Sequence, residues 1–410
     1  RRRRRRRRGH ALRRSRCAAP RGSGAARGRA RRAGARCAGE AHRSHPCCRD
    51  RVEFGIGRRR RAVAGAMPTP IAAAAAVASA ASWSDFTEWK QQHGRTYATT
   101  AEAVGRFGVW KSNLQRLEAA RRENTHARFE ADWTADWTIE ELAGLRGGPL
   151  NTTGAEEQPR FDDAVVGDAG PIDWVELGAV NTPVSQGRCG TCAQFSATAD
   201  IEAQWFLHGH GLVKLSEQEM IDCASYTGPY GMGWVADVHK GLTSSRTYPL
   251  ANHSDPTLRG CRSPCNTSAA DPARSVAHVS GATCLGKPVY DDESQMLAWL
   301  QHGPLSVSVD ASFGGYKRGV ISGAGCNHTR VDHAVLLVGY GVDTSTVPWL
   351  PYWKLRNSWG PTFGEGGYVR IQAGVNCLGL RGACQAYIGQ PPSPYRQPRA
   401  ARPHPAARVP

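Results

Sequence analysis

Pro183, Gly187 and Gly190 interrupt the chain just ahead of a helix-compatible stretch, and a cysteine stands where that helix can begin. The segment reads Gln186-Gly187-Arg188-Cys189-Gly190-Thr191-Cys192-Ala193-Gln194-Phe195-Ser196. Ala199, Ile201, Ala203 and Trp205 follow as apolar positions before Gly209 and Gly211. The pattern predicts a loop that turns into a helix with Cys192 in the first turn. Unpaired backbone N–H groups and the helix dipole favour negative charge there. Both stabilise a thiolate, the form in which cysteine acts as a nucleophile. Such a nucleophile needs a base, a group that orients the base, and donors for an oxyanion, none of which has to be near it in sequence.

The net charge of +18 over 410 residues suggests a nucleic-acid or membrane partner until it is located along the chain. Residues 1–66 hold 24 arginines against three acids (Glu40, Asp50, Glu53), and residues 391–410 add four arginines, which leaves residues 67–390 at −7. The body is therefore mildly acidic, and the high pI says nothing about its partner. The Arg/Ala/Gly composition of residues 1–66 cannot pack a core. An Arg-rich arm of this kind could bind nucleic acid. The reading preferred here is that translation starts at Met67 and the arm is not part of the protein. Residues 67–82, with the apolar run from Ile71 to Ala78 and small residues to Ser82, read as a signal peptide. That run is too short to span a membrane.

Thirteen cysteines fit a secreted chain. Four (Cys17, Cys37, Cys47, Cys48) lie in the arm and nine in the body, so removing one nucleophile leaves eight, an even number. Asn-x-Ser/Thr sequons at Asn151, Asn252, Asn266 and Asn327 point the same way as candidate glycosylation sites.

Two later segments supply the missing chemical groups. His333 opens a buried-strand pattern, Val331-Asp332-His333-Ala334-Val335-Leu336-Leu337-Val338, that ends in Gly339-Tyr340-Gly341. Asn357 begins Asn357-Ser358-Trp359-Gly360 ahead of a glycine-rich loop. An Asn oxygen accepting an imidazole N–H fixes tautomer and orientation, and Trp359 would shield that bond from water. Each segment alone is unremarkable, a strand-start histidine and an Asn-Ser turn. In the order Cys192, His333, Asn357, with 141 residues between the first two, they resemble papain-like cysteine peptidases. That family's signature is Cys-Gly-[Ser/Ala]-Cys-[Trp/Tyr], from which Cys189-Gly190-Thr191-Cys192-Ala193 departs at Thr191 and Ala193. The resemblance implies that Gln186 and the Cys192 amide form the oxyanion hole. It also implies an α+β, two-domain fold in which a helical half faces a β-barrel-like half across the active-site cleft.

The N-terminal part carries a second resemblance. Phe86, Trp89 and Tyr97 flank a break at His93-Gly94, and a helix is predicted from about Ala101 to Glu123 with Val104, Phe107, Trp110, Leu114 and Leu117 on its core face. Along it, Glu102, Arg106, Trp110, Asn113 and Leu117 resemble the spaced Glu-Arg-Phe-Asn-Ile-Asn pattern of papain-family propeptides, with Arg121 in the last place. Asp132-Trp133-Thr134-Ala135-Asp136-Trp137-Thr138 resembles a second element of those propeptides. The implied organisation is a cathepsin L-like zymogen. An inhibitory prosegment occupies residues 83–165, a peptidase domain residues 166–390 and a disordered tail residues 391–410. Residues 147–170, rich in Gly, Pro and acids, read as an exposed, cleavable linker. Ser216 and Glu219 predict a capping box, and strands are expected at residues 305–309, 333–338, 352–355 and 368–371.

Further expectations follow from the resemblance. Cys223 pairs with Cys261 or Cys265, and Cys326 with Cys377. Cys189 has lost its usual partner, because residues 230–233 read Tyr-Gly-Met-Gly, and a bridge to the Cys261/Cys265 loop accounts for it. The second substrate pocket aligns with Gly233, Ser308, Asp332 and Gly382, read as roomy and without a fixed charge, suited to a bulky apolar side chain. Gly233 also offers a backbone edge for an extended substrate. Losing the aromatic residue after the nucleophile risks a void, since core Trp→Ala changes cost about 3–5 kcal/mol.

The expected activity is thus a cysteine endopeptidase made as a zymogen in the secretory pathway, lysosomal, vacuolar or extracellular. It needs no cofactor or metal and is a monomer when mature. Its partners are peptide substrates and its own prosegment, with no nucleic acid and no membrane span. The alternative is a catalytically weak homologue acting as a binding or scaffold protein, motivated by Ala193-Gln194. A thioredoxin-like role for Cys189-x-x-Cys192 requires a βαβ setting that the sequence lacks.

Overall fold

The computed structural model describes residues 81–147, 156–158, 160–224, 231–251, 261–286, 291–328 and 330–390. The expectations for residues 1–66, for most of the signal peptide, for the tail and for Asn151 and Asn252 lie outside them. Ala81 and Ser82, assigned above to the signal peptide, belong to the folded prosegment. Ser82 caps α1 (Trp83–Gln92) in a reciprocal box with Asp85, and Ala81 packs on the aromatic cluster below it.

That cluster is formed by Phe86, Trp89 and Trp110, with Tyr97 and Phe107 packed against it. It joins α1 to α2 (Thr100–Glu123), which Thr99 caps through the Glu102 N–H. Val104 is 57% exposed, so it is not on the core face as expected. The spaced polar residues hold the prosegment together. Arg106 clamps Glu141 through two bonds of 2.5 and 2.8 Å, and Asn113 donates to the carbonyls of Ala135 and Trp137. Arg121 donates to Phe129. Glu141 also completes the capping box of α3 (Ile139–Gly144) with Thr138. The chain therefore leaves α3 in a direction fixed from α2.

One sheet holds the rest together. Its strands are β1 (Ala127–Phe129), β2 (Glu156–Gln158), β3 (Ile172–Asp173), β4 (Gly281–Leu285), β5 (Leu305–Val309), β6 (Tyr316–Ile321), β7 (His333–Asp343), β8 (Leu350–Arg356), β9 (Tyr368–Gln372) and β10 (Arg381–Tyr387). The hydrogen-bonded order is β1-β6-β9-β8-β7-β5-β10-β4-β2, with β3 on β7, and the sheet does not close on itself. Both outer strands come from the N-terminal segment: β1 pairs antiparallel with β6, and β2 pairs parallel with β4. Four of the strands were expected. β7 and β8 extend beyond the predicted ends.

The linker reading fails at Phe161, while Arg160, Asp162, Asp163, Gly167 and Asp168 around it are exposed as expected. Phe161 is fully buried, its N–H and carbonyl both bound by the Gln295 side chain at 2.6 and 3.2 Å. The helix α4 (Asp163–Asp168) follows and packs on the helix at Glu293–Leu300. A Phe side chain with an amide to satisfy its backbone outweighs the loop-like composition around it.

The helix α5 (Cys192–Leu207) is buried along most of its length and packs on β5, β7 and β10. This explains why the alternating Leu-Ser-Val-Ser-Val of β5 is buried throughout. Ser196 of α5 meets Ser306 of β5 at 3.0 Å and donates to the Val335 carbonyl at 2.9 Å, so the polar positions are satisfied inside. On the far side lies α6 (Glu217–Cys223), capped by Ser216 through the Glu219 N–H. The predicted box is only half formed, because the Glu219 carboxylate turns away to accept from Thr243 N–H and Oγ1. Two large apolar clusters result, beside a small one of Ala199, Leu336, Val338 and Tyr368. One lies under the sheet, around Trp299, Trp353 and Phe313; the other lies between α5 and the helical half, around Met220, Met232 and Trp234. Cys192 belongs to the second and Trp359 to the first. The site falls at their seam.

Candidate active site

Cys192 is the first residue of α5, preceded by Thr191, whose side chain makes no cap bond. Its thiol is buried and, among the described residues, is the free cysteine. Across the seam, the backbone N–H of Ala334 points at Sγ from 3.4 Å. His333, the residue before Ala334 and the first of β7, is fully buried, and its Nε2 lies 2.8 Å from Asn357 Oδ1. An Asn oxygen only accepts, so Nε2 carries the proton and Nδ1, which has no hydrogen-bond partner, keeps its lone pair. Asn357 Oδ1 also accepts the Ser358 N–H at 2.8 Å, which fixes the amide. Trp359 stands 5.3 Å from the imidazole and Phe313 stands 6.0 Å from it, so aromatic rings wall the His–Asn bond.

Gln186 is fully buried and stitched to the same loop. Its N–H donates to the Ser358 carbonyl, and its Oε1 accepts from Ser358 Oγ at 2.5 Å. That leaves Nε2 to donate, and it does so to two carbonyls: Cys189 at 2.5 Å and Leu145 at 2.9 Å. Leu145 follows α3 directly, in the segment expected above to be the prosegment. Its neighbour Arg146 reaches Asp332 Oδ2 at 3.3 Å, and the Gly147 backbone lies on the thiol. A Cβ on Gly147 would stand 2.9 Å from Cys192 Sγ, so glycine is what permits this approach. The sequence reading missed Leu145, Arg146, Gly147 and Ser358. The Gly147-Gly148 pair was the available signal for a close backbone approach, and it was read as linker.

Burial sets the direction of the shifts at Cys192 and His333. Burial pushes the Cys192 thiol up, against the N–H groups of Ala334, Gly147 and Ala193 that pull it down. Burial lowers His333 to about 4, although the Asn357 bond favours the cation. Both shifts favour the neutral forms, a thiol at Cys192 and an uncharged imidazole at His333. Asp332, fully buried between Arg146 and Arg330, is raised by burial, with the neighbouring Asp310 adding to the effect. One of the four residues expected to line a pocket without a fixed charge is thus ionisable.

Ser308, Asp332 and Gly382 share one patch. Ser308 of β5 pairs with Ala334 of β7 and Arg381 of β10, and Asp332 N–H bonds to the Val309 carbonyl beside it. Gly233 comes from the short helical turn Met232–Trp234 in the helical half. The bridges are Cys189–Cys261, Cys223–Cys265, Cys284–Cys384 and Cys326–Cys377. The orphaned Cys189 thus pairs with the Cys261/Cys265 loop, as expected. Half-buried Ala193, where an aromatic residue was missed, packs against the cluster to which Trp234 contributes its ring. Asn266 and Asn327 are exposed. Among the described residues no group of three or more His, Cys, Asp or Glu could hold a metal ion, and no helix is long and apolar enough to cross a membrane.

Residues 169–388 match the papain family cysteine protease model, which spans more than half of the chain. The chain belongs to that family. Residues 86–142 match the cathepsin propeptide inhibitor domain, so the protein is a papain-like cysteine endopeptidase carrying its own inhibitory segment. Among its relatives, Cysteine proteinase B of Leishmania mexicana is 32% identical over 78% of this chain and 72% of its own length. Fruit bromelain of Ananas comosus is 34% identical over 71% of this chain and 81% of its own. A recombinant stem bromelain precursor superposes with a TM-score of 0.63 at 27% identity, covering 75% of this chain and 99% of that one. Digestive procathepsin L2 from Tenebrio molitor larval midgut gives 0.62 at 25% identity, covering 74% and 99%. The papain-like fold is therefore that of this chain, with a helical prosegment and an open sheet.

Proposed function

We propose that Cys192, His333, Asn357 and Gln186 hydrolyse peptide bonds through a thioester acyl-enzyme. The observation that carries this is the Leu145 carbonyl accepting from Gln186 Nε2 while the Gly147 backbone, two residues on, reaches the Cys192 thiol, as an extended peptide lying in the site would. With the prosegment gone, the thiol proton passes to His333 Nδ1, giving a thiolate and an imidazolium whose Nε2–H stays on Asn357. The thiolate attacks the scissile carbonyl carbon. Gln186 Nε2 and the Cys192 N–H hold the oxyanion, and His333 gives its proton to the leaving amine as the C–N bond breaks. Water, deprotonated by His333, then attacks the thioester, releasing the acid and restoring the thiol. Trp359 shields the His333–Asn357 bond. The pocket at Gly233, Ser308, Asp332 and Gly382 accepts a substrate side chain.

The same reading makes the mature enzyme a secreted or lysosome- or vacuole-like monomer, glycosylated at exposed Asn266 and Asn327, consistent with four disulfides. The competing reading, a binding or scaffold homologue of little activity, rests on Ala193-Gln194. Labelling with a thiol-reactive epoxide peptide before and after acid processing separates the two. Cys192 should label only after processing, and no labelling in the processed protein would sink the peptidase reading.

A further inference from the structure

The prosegment crosses the active site through a short run of contacts, and one of them meets a residue that catalysis does not use. Arg188 sits two residues after Gln186 and four before Cys192, on a loop held by the Gln186–Ser358 backbone bond and the Cys189–Cys261 bridge. Its guanidinium lies 4.2 Å from the centroid of the Trp137 ring, and Nη2 lies 3.9 Å from Glu141 Oε1. Among the described residues, the groups that this side chain engages belong to the prosegment: Trp137, Glu141 and the surrounding Arg95, Arg106 and Asp136. Glu141 is four residues ahead of Leu145, whose carbonyl occupies the Gln186 donor, so the pairing is part of the segment that fills the cleft.

We propose that Arg188 is a specificity-determining residue of the mature enzyme, selecting peptides with an acidic side chain at the subsite it borders. This rests on the peptidase reading above. When the prosegment leaves, the loop stays in place through its disulfide and its bond to Ser358. The guanidinium, charged at any pH the enzyme meets, then loses its carboxylate and its aromatic platform together. The prosegment's own Arg95 and Arg106 depart as well, so a substrate acid meets Arg188 without competing cations. The acid that the same segment covers behaves differently. Asp332 gives up Arg146 but keeps Arg330, 3.4 Å away, within its own domain. The cation is the unbalanced member of the pair, and the preference it sets is for an acid.

The test uses the full chain, processed by acid, and a set of fluorogenic peptides identical except that Glu, Gln or Lys occupies each position around the scissile bond in turn. Turnover of the all-neutral reference peptide is measured first and reports on the peptidase reading alone. At one position kcat/KM should favour Glu over Lys by about fivefold or more at low salt, and the ratio should shrink as salt is added. Arg188→Glu should reverse that ratio at the same position. Arg188→Gln, which keeps the length and polarity of the chain, should bring it to about one. No position favouring Glu, or a preference that survives in Arg188→Glu, overturns the proposal. If no peptide is turned over, the same peptides are compared by fluorescence anisotropy on the processed protein. Tighter binding of the Glu peptide that reverses in Arg188→Glu supports the proposal, and equal binding overturns it.

Discussion

The main-chain oxygen of Leu145 and the side-chain nitrogen of Gln186 are 2.9 Å apart, while the next backbone amide but one, that of Gly147, rests on the Cys192 thiol. Adjacent peptide groups of one stretch of chain therefore cover both the Gln186 side-chain amide and the Cys192 thiol, the groups proposed above as oxyanion donor and nucleophile.

Gln186 should matter twice. Gln186→Ala removes one of the two proposed oxyanion donors, and kcat should fall by about 100- to 1000-fold with little change in KM. The same variant removes a prosegment contact, so the isolated prosegment should inhibit it less well. Steady-state kinetics and a tight-binding titration on one preparation check both.

Gly147→Val places side-chain carbons where the Cys192 sulfur already stands, at 2.9 Å from the first of them. The segment must lift. The unprocessed variant should react with iodoacetamide at neutral pH much faster than the wild-type zymogen, read as the rate of Cys192 carboxamidomethylation by mass spectrometry.

Arg146→Ala takes from the fully buried Asp332 one of its two ion-pair partners, leaving Arg330 and the Ala311 N–H. Breaking one partner from a buried carboxylate is costly. The inhibition constant of an Arg146→Ala prosegment added in trans should rise by about tenfold or more. An unchanged constant would mean that the pair contributes nothing to inhibition.

Acid should loosen the closed state. Burial holds His333 and His302 at about 4 in the folded zymogen, below their ordinary value of 6.5. Between those limits the unfolded chain binds protons that the folded one does not, so stability present above pH 6.5 is lost as pH falls towards 4. Each histidine can contribute on the order of 3 kcal/mol to that loss. The raised carboxyls Asp332 and Asp200 act in the opposite sense, losing stability as pH rises through their own range. On a Cys192→Ser background, Tm should drop from pH 6.5 to 4, and His302→Gln should flatten part of the drop.

Phe161→Ala should cost about 3–5 kcal/mol, the usual range for a fully buried Phe. Chemical denaturation of the Cys192→Ser zymogen measures it. A loss below about 1 kcal/mol would restore the view of this stretch as a linker.

The proposed catalytic groups could be singled out in the sequence because each sits at a structural boundary that its neighbours announce. Cys192 follows two glycines at a helix start, His333 opens an apolar strand, and Asn357 precedes a glycine loop. The prosegment's fold was legible through Arg106 and Asn113, polar residues at helical spacing that turn out to bind Glu141 and two carbonyls. What stayed hidden depends on partners far along the chain. Phe161 reads as an isolated aromatic in an acidic loop until Gln295, 134 residues later, closes on its backbone. The strands β4, β6 and β10 carry glycine, cysteine or charge, and they become strands by pairing rather than by composition. Glu219 abandons its capping box because Thr243 competes for the carboxylate.

Strand β1 of the prosegment covers β6, so maturation turns Tyr316–Ile321 into a border of the sheet with unpaired backbone groups. Such a border invites pairing with any other exposed strand, including that of a second copy. Lys317 and Arg318 stand exposed on it, and Gly319 is in a left-handed conformation at φ 93°. Two like charges and an irregular backbone make that border a poor template for stacking. The peptide that silences the enzyme also shelters a surface on which molecules could aggregate, and the enzyme keeps its own protection against this once the peptide is gone.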